Sequence, residues 1–248
     1  ADALNYLNEI EDRPLKVSQF IEGPTFTLNA CITSDSVISS RLAWQINRPN
    51  EYWATKSATT CGRQWDDSIS DLLNSQANLI TQKVGENLVK TGYRGYFGLD
   101  LMESNGALLV IEINPRLTAS ESFYTRLEIE SGAKPLVANH FESLLNISSS
   151  AFKKSPLVKG CQLVVRNNRH LPVKVNSSIA HDLNYSNNKL TPLDTWGQSS
   201  LKIWSTIGSI ESNSEILKLE SRIPLAVQNQ VSPQLSSELI NLRDSLIN

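Results

Sequence analysis

The chain has 248 residues, 40% of them hydrophobic, and a formal net charge of -2. That length allows one large domain or two modest ones with a buried core. The Lys and Arg residues are scattered, with no run longer than Lys153-Lys154, which excludes a basic nucleic-acid footprint. No apolar segment approaches membrane-spanning length and the first residues carry no signal-peptide pattern, so a cytoplasmic protein without a membrane partner is expected. Cys31, Cys61 and Cys161 are far apart and odd in number, which fits a reducing compartment and thiols used as small core residues.

In chain order, Leu4, Leu7 and Ile10 have helical spacing, so Ala1 to Glu11 is expected to be a helix that ends at Asp12-Arg13-Pro14. Leu15 to Ile21 reads as a strand running into Gly23-Pro24. Thr25 to Ile32 and Val37 to Ile46 read as two more strands, with a turn from Thr33 to Ser36. Asn47 to Gly62 is polar and irregular. Asp66 to Lys90 reads as a long amphipathic helix whose apolar stripe is Ile69, Leu72, Leu73, Ile80, Val84 and Leu88, with Gly92 as its stop. Gly95 to Met102 and Leu109 to Asn114 form a strand pair around Ser104-Asn105-Gly106. Glu121 to Leu145 is helical with a break at Gly132 and Pro135. Composition shifts at Ile147-Ser148-Ser149-Ser150, and a boundary there divides the chain into residues 1–148 and 149–248. Beyond it, Gly160 to Arg166, Val173 to Val175, Ser200 to Ile207 and Glu215 to Leu219 read as short strands, and Pro233 to Leu246 as a closing helix. The fold class is therefore α+β, with a smaller β-rich region at the C-terminal end.

The strand pair carries the chemistry. Glu112 and Asn114 share one strand face by simple alternation. A two-residue Asn-Gly loop would pair Leu99 with Glu112 and send Asp100 to the opposite face, whereas an odd loop or a bulge brings Asp100 round to Glu112 and Asn114. Such a loop or bulge is expected, because burying carboxylates in an apolar hairpin is costly unless something pairs with them. Two carboxylates and an amide suit a hard cation, and Mg²⁺ with bound phosphate is the usual occupant. Arg116 is near enough to direct its guanidinium fork at a transferring phosphate.

These residues resemble the ATP-grasp superfamily. Gly98-Leu99-Asp100 and Glu112-Ile113-Asn114-Pro115-Arg116 match its Gly-x-Asp strand and Glu-x-Asn-x-Arg strand end, and Val17 to Gly23 looks like its hinge strand. The resemblance implies an ATP-grasp central antiparallel sheet flanked by helices. It also implies ATP with Mg²⁺, or Mn²⁺ in its place. Asp100, Glu112 and Asn114 would be the metal ligands and Arg116 the catalytic cation. Gln19, Phe20 and Ile21 would contact adenine, with Thr25 standing where many members bind ribose through an acidic residue. Gln45 matches a polar position that often faces the nucleotide. The lid lysine and glycine-rich loop that precede the hinge in the family have no counterpart, and Lys16 is no substitute. The chain is thus expected to be the C-terminal portion of a longer enzyme, associated with its missing half or dimeric.

Other candidates are weaker. His140, His170 and His181 lack metal-ligand spacing, Cys61 lacks a paired base, and Trp44, Trp53 and Trp65 are expected to pack in the core. Lys56 and Arg63 fall in the irregular connection, where they could hold a substrate anion or simply be solvated. Arg166 and Arg169 could close over a substrate. The function implied is ATP-dependent activation of a small carboxylate for attack by an amine. The alternative is a non-catalytic nucleotide-binding or assembly module.

Overall fold

The computed structural model describes residues 18–147, 156–186, 189–192 and 201–247. The helix expected at Ala1 to Glu11, most of the strand expected before the hinge glycine, and the boundary serines Ser148 to Ser150 lie outside the described residues. In chain order the elements are β1 (Thr25–Ile32), β2 (Val37–Ser39), β3 (Ala43–Asn47), β4 (Thr60–Trp65), α1 (Asp71–Lys90), β5 (Gly95–Ser104), β6 (Ala107–Asn114), α2 (Glu121–Glu130), α3 (Leu136–Leu145), β7 (Gly160–Arg166), β8 (Val173–Val175), β9 (Ala180–Ser186), β10 (Lys189–Pro192), β11 (Leu201–Ser205), β12 (Gly208–Ile210), β13 (Glu215–Ser221), β14 (Ala226–Val227), β15 (Gln230–Val231) and α4 (Pro233–Leu246).

The fold is α+β. Eleven strands form one antiparallel sheet in the order β10-β9-β11-β13-β7-β4-β3-β1-β5-β6, with β2 paired to β1. The β4–β7 ladder, in which Arg63 faces Gln162, carries the sheet without interruption into the C-terminal half. On one face, α1 lies against a cluster of Phe26, Leu28, Trp44, Phe97, Leu99 and Leu101. A second cluster draws on both halves: Ile46, Trp53 and Ala54 pack with Leu163, Leu219, Leu235 and Leu239. The opposite face is roofed by α2 and α3, through Trp65, Tyr96, Phe123, Tyr124 and Leu136. The part of that face left unroofed holds the candidate site.

Most expected elements form near their expected bounds, and four differences have local causes. Residues 18–21 form no strand, and Phe20 is 84% exposed. The chain joins the sheet only after Gly23, which passes against the Glu103 backbone so closely that a Cβ would meet its carbonyl oxygen, and after Pro24, which has no amide hydrogen to donate. Val37 to Ile46 splits at Ser40, whose hydroxyl accepts from the Asn29 amide, while the Leu42 amide donates to the Asn74 side chain. The long helix starts at Asp71 rather than Asp66, because Asp66 folds back to accept from the Ser68 amide and Ser70 caps the helix by accepting from the Leu73 amide. Leu72 consequently points to solvent, while Leu73, Ile80, Val84 and Leu88 pack on the sheet. Finally, Thr60 to Trp65 is a strand although its sequence lacks apolar alternation. It is sandwiched between β3 and β7, so its backbone hydrogen bonds are fixed by its neighbours rather than by its own side chains.

Candidate active site

The hairpin of β5 and β6 closes on Asn105 and Gly106, both with positive φ (53° and 79°), as a two-residue hairpin turn demands. That loop pairs Ser104 with Ala107, and the same register continued would place Glu112 opposite Leu99. It does not continue. A bulge between Asp100 and Leu101 leaves Ile111 unpaired, and beyond it Asp100 faces Glu112 and Gly98 faces Asn114. The expected bulge is therefore present, and Asp100, Glu112 and Asn114 project from one face.

That face is polar across seven strands. Cross-strand pairing links Glu220 to Gln162, Gln162 to Arg63, Arg63 to Gln45, Thr27 to Asp100 and Asp100 to Glu112. At its acidic end a cavity of about 120 Å³ is lined by Thr27, Arg63, Asp100, Glu112, Asn114 and Arg116, among others. The Gln45 amide donates to Asp100 Oδ1 (3.0 Å) and the Asn114 amide to Asp100 Oδ2 (3.3 Å). Arg116 donates to Asn114 Oδ1 (3.0 Å). Burial pushes the Asp100 carboxyl up from its ordinary value, the Arg63 charge opposes that shift, and the Glu112 carboxylate adds to it. Glu112 itself has no hydrogen-bond or ion-pair partner among the described residues. Among those residues no three His, Cys, Asp or Glu side chains converge, so any hard cation here would be completed by the Asn114 amide oxygen.

Next to it, sharing Arg63 and Ala119 as a wall, is a larger cavity of about 310 Å³ lined also by Thr59, Thr60, Gly62, Gln162, Val164, Arg166, Asn213 and Glu215. Arg63, placed by sequence in a polar loop, is in β4 and faces both cavities. Its Nε is buried without a partner, and burial lowers its pKa below the usual guanidinium value. Arg166 is fixed by donation to the Asn213 and Thr60 carbonyls, and its Nε is likewise buried and unpartnered.

The other expected positions are not gathered here. Gln19, Phe20, Ile21 and Thr25 line neither cavity. Thr25 accepts from the Asn47 amide and lies two residues before Thr27, on the same face. Gln45 does reach the site, through Asp100. Lys56 and Arg169 are exposed. The three cysteines are buried, with the thiols of Cys61 and Cys31 pushed up to about 11 and about 12 by burial, which suits inert core residues. Trp53 and Trp65 are buried core residues, and Trp44 packs at a tilt against Phe26 with ring centroids 4.7 Å apart.

Residues 5–120 match the family model described as ATP-grasp domain. Over those residues, just under half of the chain, it is similar to an ATP-grasp domain. Solved structures are similar in fold to the chain over more than those residues. N5-carboxyaminoimidazole synthase from Aspergillus clavatus, in complex with ADP and 5-aminoimidazole ribonucleotide, matches with TM-score 0.57 and 13% identity, over 98% of this chain and 58% of that one. The biotin carboxylase domain dimer of 2-oxoglutarate carboxylase from Hydrogenobacter thermophilus, in complex with MgADP, ADP and bicarbonate, matches with TM-score 0.53 and 12% identity, over 82% and 42%. L-amino acid ligase from Bacillus licheniformis matches with TM-score 0.52 and 11% identity, over 93% and 52%. The chain thus spans less than 60% of the length of each of these structures. No curated protein matches the sequence. No described helix is long and apolar enough to cross a membrane.

Proposed function

We propose that the chain supplies the metal- and phosphate-holding face of an ATP-dependent ligase, which activates a small carboxylate as an acyl phosphate for attack by an amine. The bulge at Ile111 carries this reading, because it sets two mutually repelling carboxylates and an amide on one cavity wall. The donor set is all oxygen and suits Mg²⁺, or Mn²⁺, which shares that preference. That Glu112 has no hydrogen-bond or ion-pair partner among the described residues, and that a guanidinium sits on Asn114 Oδ1, both fit a position made for a cation.

Asp100, Glu112 and Asn114 would hold Mg²⁺, which when bound supplies charge neutralisation for phosphoryl transfer. Gln45 orients Asp100 by its hydrogen bond. Arg116, freed from Asn114, faces the same cavity and would offset negative charge on the transferring phosphoryl group. Arg63 brings a second positive charge to the wall between the two cavities. The segment Gln19 to Ile21 would contact adenine, and Thr25 would lie toward the ribose. Catalysis on such a face is mainly positioning and charge compensation.

The test is ADP release by the full-length natural protein with ATP, Mg²⁺ and a panel of carboxylates and amines. Carboxylate-stimulated release that disappears in Glu112→Gln supports the ligase. MgADP binding without turnover on any carboxylate is the result expected of the non-catalytic module and would overturn it.

A further inference from the structure

The larger cavity has a charge pattern that the nucleotide face does not use. Arg63 and Arg166 both line it, and each has a buried Nε with no hydrogen-bond partner among the described residues. The two guanidiniums are close enough for Arg166 to depress the Arg63 pKa, and Asp100 opposes that effect. The lining has one carboxylate, Glu215, which is already shared. It lies 3.0 Å from Lys218 Nζ and 3.8 Å from Arg166. Glu215 is thus divided between Lys218 and Arg166 and also acts on Arg63, so the cations around the cavity, Arg63, Arg166 and Lys218, outnumber its one lining carboxylate. Two positive charges are then left facing one small space. Excess positive charge in a partly buried space is costly, so this arrangement favours two negative groups from a ligand. At about 310 Å³ the cavity is at the small end of ligand pockets, which suits a small acid.

We infer that this cavity is the substrate pocket and takes a small dicarboxylate, with one carboxylate on Arg63 and the other on Arg166. The inference rests on the ligase reading above and names its substrate class. The carboxylate at Arg63 lies against the wall shared with Asp100 and Glu112, and so is the one to be phosphorylated. Its oxygen forms the new O–P bond as the bond from the γ-phosphorus of ATP to the ADP oxygen breaks. The carboxylate at Arg166 reads the length and charge of the acid. Arg166, Asn213 and Glu215 come from the C-terminal half, which would therefore set specificity. Asn213 ties that half to the connecting loop by accepting from the Thr55 amide, and its carbonyl holds Arg166 in place.

Binding is tested without nucleotide, by calorimetry on the full-length protein with succinate and glutarate against butyrate and valerate, and MgADP binding is measured separately. The dicarboxylates are expected to bind at least about tenfold more tightly than the matched monocarboxylates, and Arg166→Gln to erase that preference. Glu215→Gln should tighten dicarboxylate binding several-fold, a gain that misfolding cannot produce. Equal affinity for mono- and dicarboxylates, or weaker dicarboxylate binding in Glu215→Gln, overturns the inference. Dicarboxylate binding with no MgADP binding would keep the pocket and instead remove the ligase reading.

Discussion

The acidic and the basic cavities lie side by side on one sheet face but are assembled in different ways. Asp100, Glu112, Asn114 and Arg116 come from a single hairpin and the residues after it. Arg63 and Arg166 come from β4 and β7, which are far apart in sequence and meet only because those strands pair. The first cavity depends on one local device, the bulge at Ile111. The second depends on long-range pairing and on the docking of the C-terminal half. A site of the first kind can be lost by one change in the hairpin with the fold intact, whereas a site of the second kind should be lost whenever the two halves separate.

The sharpest way to break this contrast is in the hairpin. Asp100→Asn removes a charge from the acidic wall and turns a donor toward the amides of Gln45 and Asn114, which both donate to Asp100 now. Loss of one such charge-stabilising group should lower the ADP release rate by about 10²–10³-fold, with the melting temperature little changed. A variant that keeps near-normal turnover would mean the acidic wall is not where phosphate charge is managed.

Gln64 tests the other kind of dependence. Its carbonyl oxygen accepts from the Leu225 and Ala226 amides, both at 2.8 Å, and its amide donates to the Ala226 carbonyl. Gln64→Leu would leave buried amides unpaired and should cost about 2–4 kcal/mol of stability, read as the shift in a urea midpoint. Dicarboxylate binding should weaken with it under mildly destabilising conditions. An unchanged midpoint would show that the halves are held together elsewhere.

A smaller, pH-dependent effect separates stability from site chemistry. Glu128, buried under the helical roof, accepts from the Leu136 amide, and burial pushes its carboxyl from 4.5 to about 8. The folded chain therefore keeps a proton that the unfolded chain releases, and this stabilisation is lost as pH rises from 4.5 toward 8. Glu128→Gln has no proton to lose, so it should flatten the fall in melting temperature over that range and overtake the parent chain above it. Parallel pH profiles for the two chains would contradict the assigned burial.

These differences in assembly also explain what could be read from sequence. The apolar runs of β1, β5 and β7 and the stripe of α1 declare themselves by period, and the paired carboxylates stand out because they interrupt such a run. The face on which Asp100 falls could be narrowed to an odd loop or a bulge, since pleat parity allows nothing else. Thr60 to Trp65 hides its strand because Arg63 and Gln64 are polar for reasons outside the segment: one faces the cavities and the other binds the backbone at Leu225 and Ala226. A signal was present in that Arg63 is followed by Gln64 and Trp65 just before a capped helix, but it becomes readable only once β3 and β7 are known to flank it. The small ladders β8–β12 and β14–β15 are likewise fixed by their partners, with too few residues to show a period.

The central claim is that the bulged hairpin holds a metal–nucleotide pair through Asp100, Glu112 and Asn114. The most direct measurement is calorimetric titration of ADP into the full-length protein, with Mg²⁺ and with EDTA, for the parent chain and Glu112→Gln. The expected result is Mg²⁺-dependent binding that weakens at least about tenfold in the variant, as the loss of one carboxylate ligand to a hard cation requires. ADP affinity that is the same with EDTA, or the same in Glu112→Gln, would contradict it.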